Sequence, residues 1–242
     1  MNQYDPKSLF DGFSALEGGQ DAGRGPHLIG RNQAARMVNI DIRGGYAKTR
    51  PGWKQIDLTF DSAEDQAAFE NGRFQGAETF CAEPKKREIV ASMSGRIWRI
   101  SEDGKVHPIV GYYDRNSSEL TQAWMEQVEG TLVIQDGQSK PILYNGGSWR
   151  RAENNEVPVG TVMSYTNGRL WVAMPNGRDF MAGDLLGTTT GPLKFTENDY
   201  LSEGGTFQVP GSAGKIVAMQ AMTTPDTSLG EGDLLLICEQ AV

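Results

Sequence analysis

Apolar and polar positions alternate with a period of two through much of this 242-residue chain, and glycine or Asp-Gly pairs interrupt the alternation at short intervals. Such alternation is typical of half-buried β-strands, and Asp-Gly is a strong signal for a tight hairpin turn. Groups of paired strands are predicted over residues 88–110, 131–150, 164–186 and 215–242. The pattern therefore predicts a mainly β protein built from short antiparallel strands.

These strand groups recur at a nearly constant spacing. Aligning Ile97, Leu132 and Leu170 gives intervals of 35 and 38 residues, close to the ~40 to 45 residues of a four-stranded propeller blade. Three or four blades are too few for a closed ring, so some sheet faces and edges are expected to stay uncovered. We expect a β-propeller-like repeat domain over residues 76–242, with an incomplete set of repeats.

The last strand of the sequence, LLLIC at residues 234–238, is apolar throughout and lies four residues from the final valine. Such a run is typical of a buried strand. One explanation is that the chain is the N-terminal portion of a longer protein, or completes its sheets with partner chains. The other is an irregular β-sandwich or barrel whose last strand is simply terminal.

Residues 1–34 differ from the repeats. A short amphipathic piece is followed by the glycine-rich run GGQDAGRGPHLIGRNQ, which is too flexible for a helix and lacks strand alternation. We expect an extended arm that packs on another surface.

The stretch ARMVNIDIRGGYAKTRPGW follows the arm. It predicts a strand, a turn at Gly44-Gly45 and a return strand, which ends at Pro51 because proline has no N–H for the ladder. Residues 35–60 are thus predicted to be a β-hairpin that fastens the arm, and we call this segment the clasp. A short helix with an Asp or Ser cap is predicted over residues 61–75.

The charge, the cysteine content and the apolar runs of the chain argue against several classes of function. A net charge of −8 and a pI near 4.9 argue against general binding to duplex DNA, which needs a basic surface. The one basic cluster, at residues 85–87, is predicted to be a solvated turn. Two widely separated cysteines fit a reducing compartment, and no signal peptide or run of apolar residues long enough to cross a membrane is found.

Candidate catalytic chemistry is weak throughout. His27 and His107 are isolated, and neither has a partner at zinc-ligand spacing. The glycine-rich run lacks the context of a phosphate loop, and no nucleophile elbow, calcium loop or distinct carboxylate pair is found. The sequence predicts a protein that is not an enzyme and holds no metal or cofactor.

Three segments in this order resemble the tail and neck structural proteins of tailed bacteriophages, including the nozzle or tail-tubular proteins of short-tailed phages. They are the arm with the clasp, then VEGTLVIQDGQSKPILYNGG, then NGRLWVAMPNGRDFMAGDLL with GPLKFTEN. The matched positions are Gly18, Gly19, Pro26, Asn39, Gly44, Gly45, Arg50 and Pro51. Nozzle proteins are usually much longer than this chain, which implies a segment of one or a smaller neck or adaptor component.

The resemblance implies a virion structural protein of the tail or neck, made in the cytoplasm of the bacterial host. It implies a homo-oligomeric ring that contacts other tail, neck or portal-side proteins and forms part of a conduit through which DNA passes without specific binding. The expected assembly contacts lie in the arm and the clasp. They are Phe10, Phe13, Leu16, Arg24, Arg31, Arg36, Arg50 and Trp53.

Two other functions stay open. The first is a carbohydrate-binding or carbohydrate-active β-repeat protein, in which Trp98, Trp124, Trp149 and Trp171 line a glycan groove, although the positions of all but Trp124 in strand patterns near turn glycines favour packing. The second is a monomeric propeller of host origin that binds peptides.

Overall fold

The computed structural model describes residues 18–25, 27–30, 32–43, 46–52, 54–84, 86–187, 190–196, 204–222 and 233–241. The chain divides into two compact units, Met1–Ile56 and Asp57–Val242. The fold is mainly β, as the sequence predicted, and its sheets are small and antiparallel apart from one short parallel pairing.

The described residues of the first unit include a β-hairpin. Strand β1 (Ile40–Arg43) pairs antiparallel with β2 (Tyr46–Thr49), and the Arg50 N–H donates to the Asn39 carbonyl at 2.9 Å. The strand begins later than the sequence pattern indicates, because Asn39 has a left-handed φ of 56° that interrupts extended backbone. Before the hairpin, Gln20 and Ala34 form an isolated parallel bridge.

The second unit begins with sheet A, which has five strands in the order β3-β7-β6-β5-β4. Its strands are β3 (Thr59–Phe60), β4 (Phe74–Glu83), β5 (Lys86–Met93), β6 (Arg96–Ser101) and β7 (Lys105–Val110). Strand β3 pairs in parallel with β7, whereas β4 to β7 form a consecutive antiparallel series.

Two four-stranded sheets follow, each made of consecutive antiparallel strands. Sheet B consists of β8 (Trp124–Val128), β9 (Thr131–Gln135), β10 (Ile142–Tyr144) and β11 (Trp149–Arg151). Sheet C consists of β12 (Met163–Thr166), β13 (Arg169–Ala173), β14 (Asp179–Ala182) and β15 (Gly205–Gln208). Sheet D has two strands, β16 (Ile216–Ala221) and β17 (Leu234–Cys238).

The predicted helix is present but shorter than residues 61–75. Helix α1 spans Ala63–Glu70, and the Ser62 hydroxyl accepts a hydrogen bond from the Asp65 N–H at 3.1 Å, the arrangement of an N-cap. The helix ends at Asn71, whose N–H donates to the Ala67 carbonyl. Residues 74 and 75 already belong to β4.

The predicted repeat is visible in the hairpin turns. Ser94, Glu129 and Asn167 each precede a glycine and have left-handed backbone, with φ of 49°, 53° and 53°. Left-handed turn residues match the twist of antiparallel hairpins. Three residues beyond each of them stand Ile97, Leu132 and Leu170, all with no exposed surface. The aligned positions therefore hold the same place in successive sheets.

The sheets stack face to face, with a separate apolar cluster at each interface. Residues of sheets A and B share the cluster that contains Phe80 and Ile134. Sheets B and C share the cluster around Val133 and Leu170. Sheets C and D share the cluster that contains Ala173, with residues of both strands of sheet D. The order of the stack is thus A, B, C, D, which is a propeller-like arrangement.

Polar side chains of β8 tie sheet B to sheets A and C. The Gln127 amide of β8 bonds both backbone groups of Cys81 in β4, with distances of 3.1 and 3.0 Å. The neighbouring Glu126 carboxylate accepts from the Tyr165 N–H of β12 at 2.8 Å. Burial raises the pKa of Glu126, although this hydrogen bond acts in the opposite direction. Strand β8 is therefore joined to a sheet on each side.

A buried carboxylate secures the connection between sheets B and C. Glu156 accepts two hydrogen bonds from the Arg150 guanidinium, at 2.6 and 2.8 Å, and its carboxylate lies 3.2 Å from Lys194 Nζ. Only 4% of the Glu156 side chain is exposed. The hydrogen bonds from Arg150 are the main cause that lowers the pKa of Glu156 to about 2, so the group stays charged at neutral pH.

Candidate assembly surfaces

The structure describes three of the eight residues that the sequence predicted as assembly contacts. Arg24, Arg36 and Arg50 are all exposed, and Arg24 Nε lies 3.6 Å from the Asp21 carboxylate. No hydrogen bond or ion pair joins these three arginines to one another. The remaining predicted residues lie outside the described part of the chain; they are Phe10, Phe13, Leu16, Arg31 and Trp53.

One end of the sheet stack is covered by helix α1. Phe69 of the helix meets the Trp98 ring of sheet A edge-on, with the ring centroids 5.5 Å apart. The Arg96 guanidinium lies over the same ring at 4.3 Å and pairs with Asp65 of the helix at 3.0 Å. Trp98 has no exposed surface. The helix thus closes the face of sheet A that is turned away from sheet B.

The other end of the stack is formed by sheet D, and among the described residues no further sheet lies beyond it. Sheet D has two strands where sheets B and C have four. Both strands of sheet D are nevertheless anchored, because Leu234 and Leu236 of β17 and Met219 of β16 pack in the cluster shared with sheet C. Sheet D is therefore packed against sheet C, but its described part has half as many strands as sheet B or sheet C.

The free side of sheet D is the outer edge of β17. The Met222 N–H donates to the Asp233 carbonyl at 2.8 Å, and in an antiparallel ladder the bonded residues alternate along each strand. Asp233 and Leu235 therefore bond to β16, while the backbone N–H and C=O groups of Leu234 and Leu236 point away from it. Among the described residues, β17 has no strand neighbour on that side.

The edge strand is also unprotected by its sequence. Proteins usually blunt free edges with charged residues, prolines or very short strands. The outer strands of the four-stranded sheets follow this rule: β11 has three residues and contains Arg150 and Arg151, and β15 ends with Gln208. Strand β17 has five apolar residues, so it is suited to accept another strand.

A shelf of aromatic side chains lies on the side of sheet C that faces sheet D. Phe180 of β14 and Phe207 of β15 stack with centroids 5.4 Å apart and ring planes at 24°, and Trp171 contacts both rings. We call these three residues the aromatic shelf. Phe207 is 46% exposed. The shelf is thus apolar surface that sheet D covers only in part.

The outer edge of β17 and the aromatic shelf lie on the same side of the interface between sheets C and D. Strand β16 contacts β12, the first strand of sheet C, and β17 packs against the cluster that includes Trp171 and Phe180. The free edge of β17 therefore faces toward β14 and β15, which form the outer half of sheet C. Two further strands added to β17 would extend over the exposed part of the shelf, since successive strands of a sheet are ~4.8 Å apart.

Sequence reasoning identified the apolar strand but missed the shelf. Phe180 and Phe207 are 27 residues apart, and only the pairing of β14 with β15 places them opposite one another. The alternation in DFMA and GTFQ was the available signal, but it does not specify which strands are neighbours.

The tryptophans mainly pack inside the fold, as their positions near turn glycines favoured. Trp124, Trp149 and Trp171 each pack against one of the three core clusters. Trp149 also borders a surface depression of about 330 Å³ together with Asn145, Ser148 and Arg150. That depression brings a tryptophan and polar groups together at the surface.

Other candidate groups have simple surroundings. His107 Nδ1 lies 2.6 Å from the Asp61 carboxylate, and His27 is exposed. Both cysteines are free thiols. Within the described residues, no three His, Cys, Asp or Glu side chains are arranged to hold a metal ion, and no described helix is long and apolar enough to span a membrane.

No protein-family model matches this chain, and no curated protein matches it either. Among solved structures, the chain is similar to the crystal structure of the N-terminal domain of Nup159, with 13% sequence identity and a TM-score of 0.36. The aligned region covers 62% of this chain and 36% of that chain, so this chain spans about a third of the length of the structure it matches. A likeness at this level indicates nothing about function.

Proposed function

We propose that this protein is a structural component of a bacteriophage tail or neck, of the nozzle or adaptor type, which works by self-assembly into a ring. The observation that carries the proposal is the sheet D end of the stack, where β17 has no strand neighbour on its outer side among the described residues. A well-anchored sheet with an unprotected apolar edge and a partly exposed aromatic shelf is a surface for association with another polypeptide. The tail or neck setting rests on the resemblance of the sequence to those proteins.

The charge distribution agrees with a role in a ring around passing DNA. Residues 1–56 contain eight basic and five acidic residues, whereas residues 57–242 contain fifteen basic and twenty-six acidic residues. The second unit is therefore strongly acidic. An acidic wall repels DNA and does not hold it during passage.

Negative-stain microscopy combined with a mass measurement in solution tests the proposed function. We expect annular particles that contain several copies of the chain. Removal of residues 1–20 should abolish these particles while the circular dichroism spectrum and unfolding transition of the β domain persist. Ring formation by the truncated chain would exclude the arm as an assembly element, and a wild-type chain that stays monomeric at high concentration would contradict the proposed function.

The second candidate function, glycan binding, rests on the depression beside Trp149. Stacking of a sugar ring on the exposed part of this side chain would be lost in Trp149→Ala. Glycan-array binding by the wild-type chain that disappears in Trp149→Ala, but persists in the core-packed Trp124→Ala, would favour this alternative over assembly.

A further inference from the structure

A second, smaller depression beside Trp149 is bordered by sheets A and B. Its wall contains Arg99 of β6, Pro108 and Ile109 of β7, and Ser148 and Trp149 at the start of β11. Its volume is about 160 Å³, below the ~300 to 1,000 Å³ of pockets that hold drug-sized ligands. We call this depression the Arg99 pocket. It has room for one small unit of a ligand.

The Arg99 pocket adjoins the depression of about 330 Å³, because Ser148 and Trp149 border both. The larger depression extends to Leu193, which packs against the cluster shared by sheets B and C. The two depressions therefore lie on either side of one half-buried tryptophan ring. A ligand made of linked rings can occupy both of them at once, whereas a single small ring occupies only one.

Arg99 supplies the Arg99 pocket with a positive charge. Within the part of the chain that the structure describes, Arg99 forms no ion pair. The Glu88 carboxylate on the neighbouring strand is 7% exposed and accepts a hydrogen bond from the Tyr144 hydroxyl at 2.7 Å. Burial and this contact raise the pKa of Tyr144 to about 12, although Arg99 acts in the opposite direction. Tyr144 thus stays neutral at neutral pH and does not compensate the charge of Arg99.

The arginine beside the larger depression is in a different state. Both terminal nitrogens of the Arg150 guanidinium donate to the Glu156 carboxylate, at 2.6 and 2.8 Å. Because this carboxylate already occupies the guanidinium, a further anion gains little there. An anionic group of a ligand is therefore expected in the Arg99 pocket, and an uncharged group in the larger depression.

The turn between β10 and β11 holds the shared wall in place. The Asn145 side-chain oxygen accepts from the N–H groups of Gly147 and Ser148 at 3.1 and 2.8 Å. Gly146 has a φ of 88°, and a Cβ at this position would lie 2.7 Å from the Ala82 Cβ of sheet A. The turn is thus bonded internally and closely packed on β4. A wall that is ordered before binding lowers the entropy lost when a ligand binds.

These features restrict the ligand. A free guanidinium is suited to a carboxylate, with which it forms two parallel hydrogen bonds, and an aromatic ring offers an apolar contact face. Residues 57–242 contain fifteen basic and twenty-six acidic residues, so anions in general are repelled. An anion that binds here needs the guanidinium and the ring contact together. A sugar acid linked to further sugars provides a carboxylate, an apolar ring face and a second unit for the larger depression.

We propose that the Arg99 pocket binds the carboxylate-bearing unit of an acidic glycan, with Arg99 holding the carboxylate and Trp149 stacking on the sugar ring. The neighbouring sugar occupies the larger depression. The inference rests on the second candidate function, glycan binding, whose ligand class it specifies. It does not depend on ring assembly.

Binding to matched acidic and neutral glycans tests this assignment. A glycan array presents sialyllactose with lactose, and oligogalacturonate with its carboxyl-reduced form, and calorimetric titration measures the affinities of the pair that binds. The wild-type chain should bind the acidic member at least ~10-fold more tightly. Arg99→Gln should abolish this preference and leave the affinity for the neutral member unchanged. Trp149→Ala should weaken binding of both members at least ~10-fold.

Arg87→Gln is the matched control, because it removes the same charge from an exposed position of sheet A that borders neither depression. It should bind the acidic glycan like the wild-type chain. The unfolding transition of each variant establishes that it is folded. For Arg99→Gln, retained binding of the neutral glycan provides the same assurance.

The possible results separate this inference from the two functions. Equal affinity of the wild-type chain for acidic and neutral glycans, or a preference that persists in Arg99→Gln, would overturn the inference and leave glycan binding standing. Displacement of the acidic glycan by an equal concentration of inorganic phosphate would indicate a general anion site and would also overturn it. A chain that binds no glycan would overturn the inference together with the second candidate function, while annular particles of the same chain would leave self-assembly standing.

Discussion

The two ends of the sheet stack differ in how much of their apolar surface the described residues cover. At the sheet A end, helix α1 covers an apolar face, and Trp98 is fully buried. At the sheet D end, β17 has no outer strand neighbour in the described part of the chain, and Phe207 is 46% exposed. Both ends are rich in aromatic residues, so composition does not distinguish them.

The difference between the ends lies in what the local chain supplies. Between β3 and β4 the chain contains a capped helix, which the Arg96–Asp65 ion pair fastens to sheet A. No described α-helix packs on sheet D; the 3₁₀ helix Gly211–Ala213 lies just before β16, and its Ala213 carbonyl accepts from the Gln240 N–H at 3.0 Å. Because apolar surface is stabilised only when something covers it, the covered end is expected to matter for folding and the open end for association.

The largest effect on stability should come from the covered end. Trp98→Ala removes a large buried side chain and the ring against which Phe69 and Arg96 pack, so it should lower the free energy of unfolding by about 3 to 5 kcal/mol. Chemical denaturation followed by circular dichroism measures the change. Trp98→Phe is the control. It should cost much less, because the buried Trp98 Nε1 has no hydrogen-bond partner among the described residues.

The centre of the stack should respond to acid. The pKa of Glu156 is lowered to about 2, so the stabilisation from its charged form is complete above its ordinary value near 4.5 and is lost as the pH falls toward 2. Glu156→Gln should lower the free energy of unfolding by about 2 kcal/mol at neutral pH and flatten the decline in stability below pH 4.5. A mutant with the same acid dependence as the wild-type chain would contradict this assignment.

The helix cap should have a smaller effect at the covered end. Ser62→Ala removes the hydroxyl that accepts the Asp65 N–H, and loss of an N-cap typically costs ~1 kcal/mol. Thermal unfolding detects this change, and Ser62→Asp should restore most of the stability because aspartate is also a good cap. Equal unfolding transitions for the serine and alanine forms would mean that packing of Phe69, and not the cap, holds the helix on sheet A.

The smallest effect on stability is expected at the open end. Phe207→Ser should change the free energy of unfolding of the monomer by less than ~1 kcal/mol, since the ring is already 46% exposed. Denaturation at a concentration low enough to exclude association checks this value. If Phe207→Ser lowered the free energy of unfolding as much as Trp98→Ala, the two ends would not differ in their contribution to stability, and the shelf would be part of the folding core.

Sequence reasoning recovered the parts of this fold that depend on local pattern. The pairing of β1 with β2, the Ser62-capped helix and the recurring turn before Ile97, Leu132 and Leu170 all follow from residues close together in the chain. The predicted turn residues Gly44 and Gly45 lie outside the described residues. The helix segment was predicted over residues 61–75 with a stop at Asn71-Gly72; the helix does end at Asn71, and residues 74 and 75 belong to sheet A because Phe74 pairs with Met93. Long-range pairing overrode the local pattern there.

The candidate site depends on relations that a single sequence does not contain. LLLIC indicated a buried strand, but its unpaired edge is defined by which strands stand beside it. The aromatic shelf depends on the pairing of Phe180 with Phe207 and on the packing of sheet D over sheet C. The parallel pairing of β3 with β7 was likewise missed, because Thr59–Phe60 is too short to give a periodic signal.

The adjacent residues Glu126 and Gln127 also fix how β8 is aligned with its neighbours. Successive strand residues point to opposite faces, so the amide reaches Cys81 on one side while the carboxylate reaches Tyr165 on the other. A slip of β8 by one residue would turn the carboxylate toward the Cys81 carbonyl, where it has no proton to donate, and would leave both contacts broken. Glu126 and Gln127 thus destabilise structures in which β8 is shifted by one residue, because both of their hydrogen bonds to the neighbouring sheets would be lost.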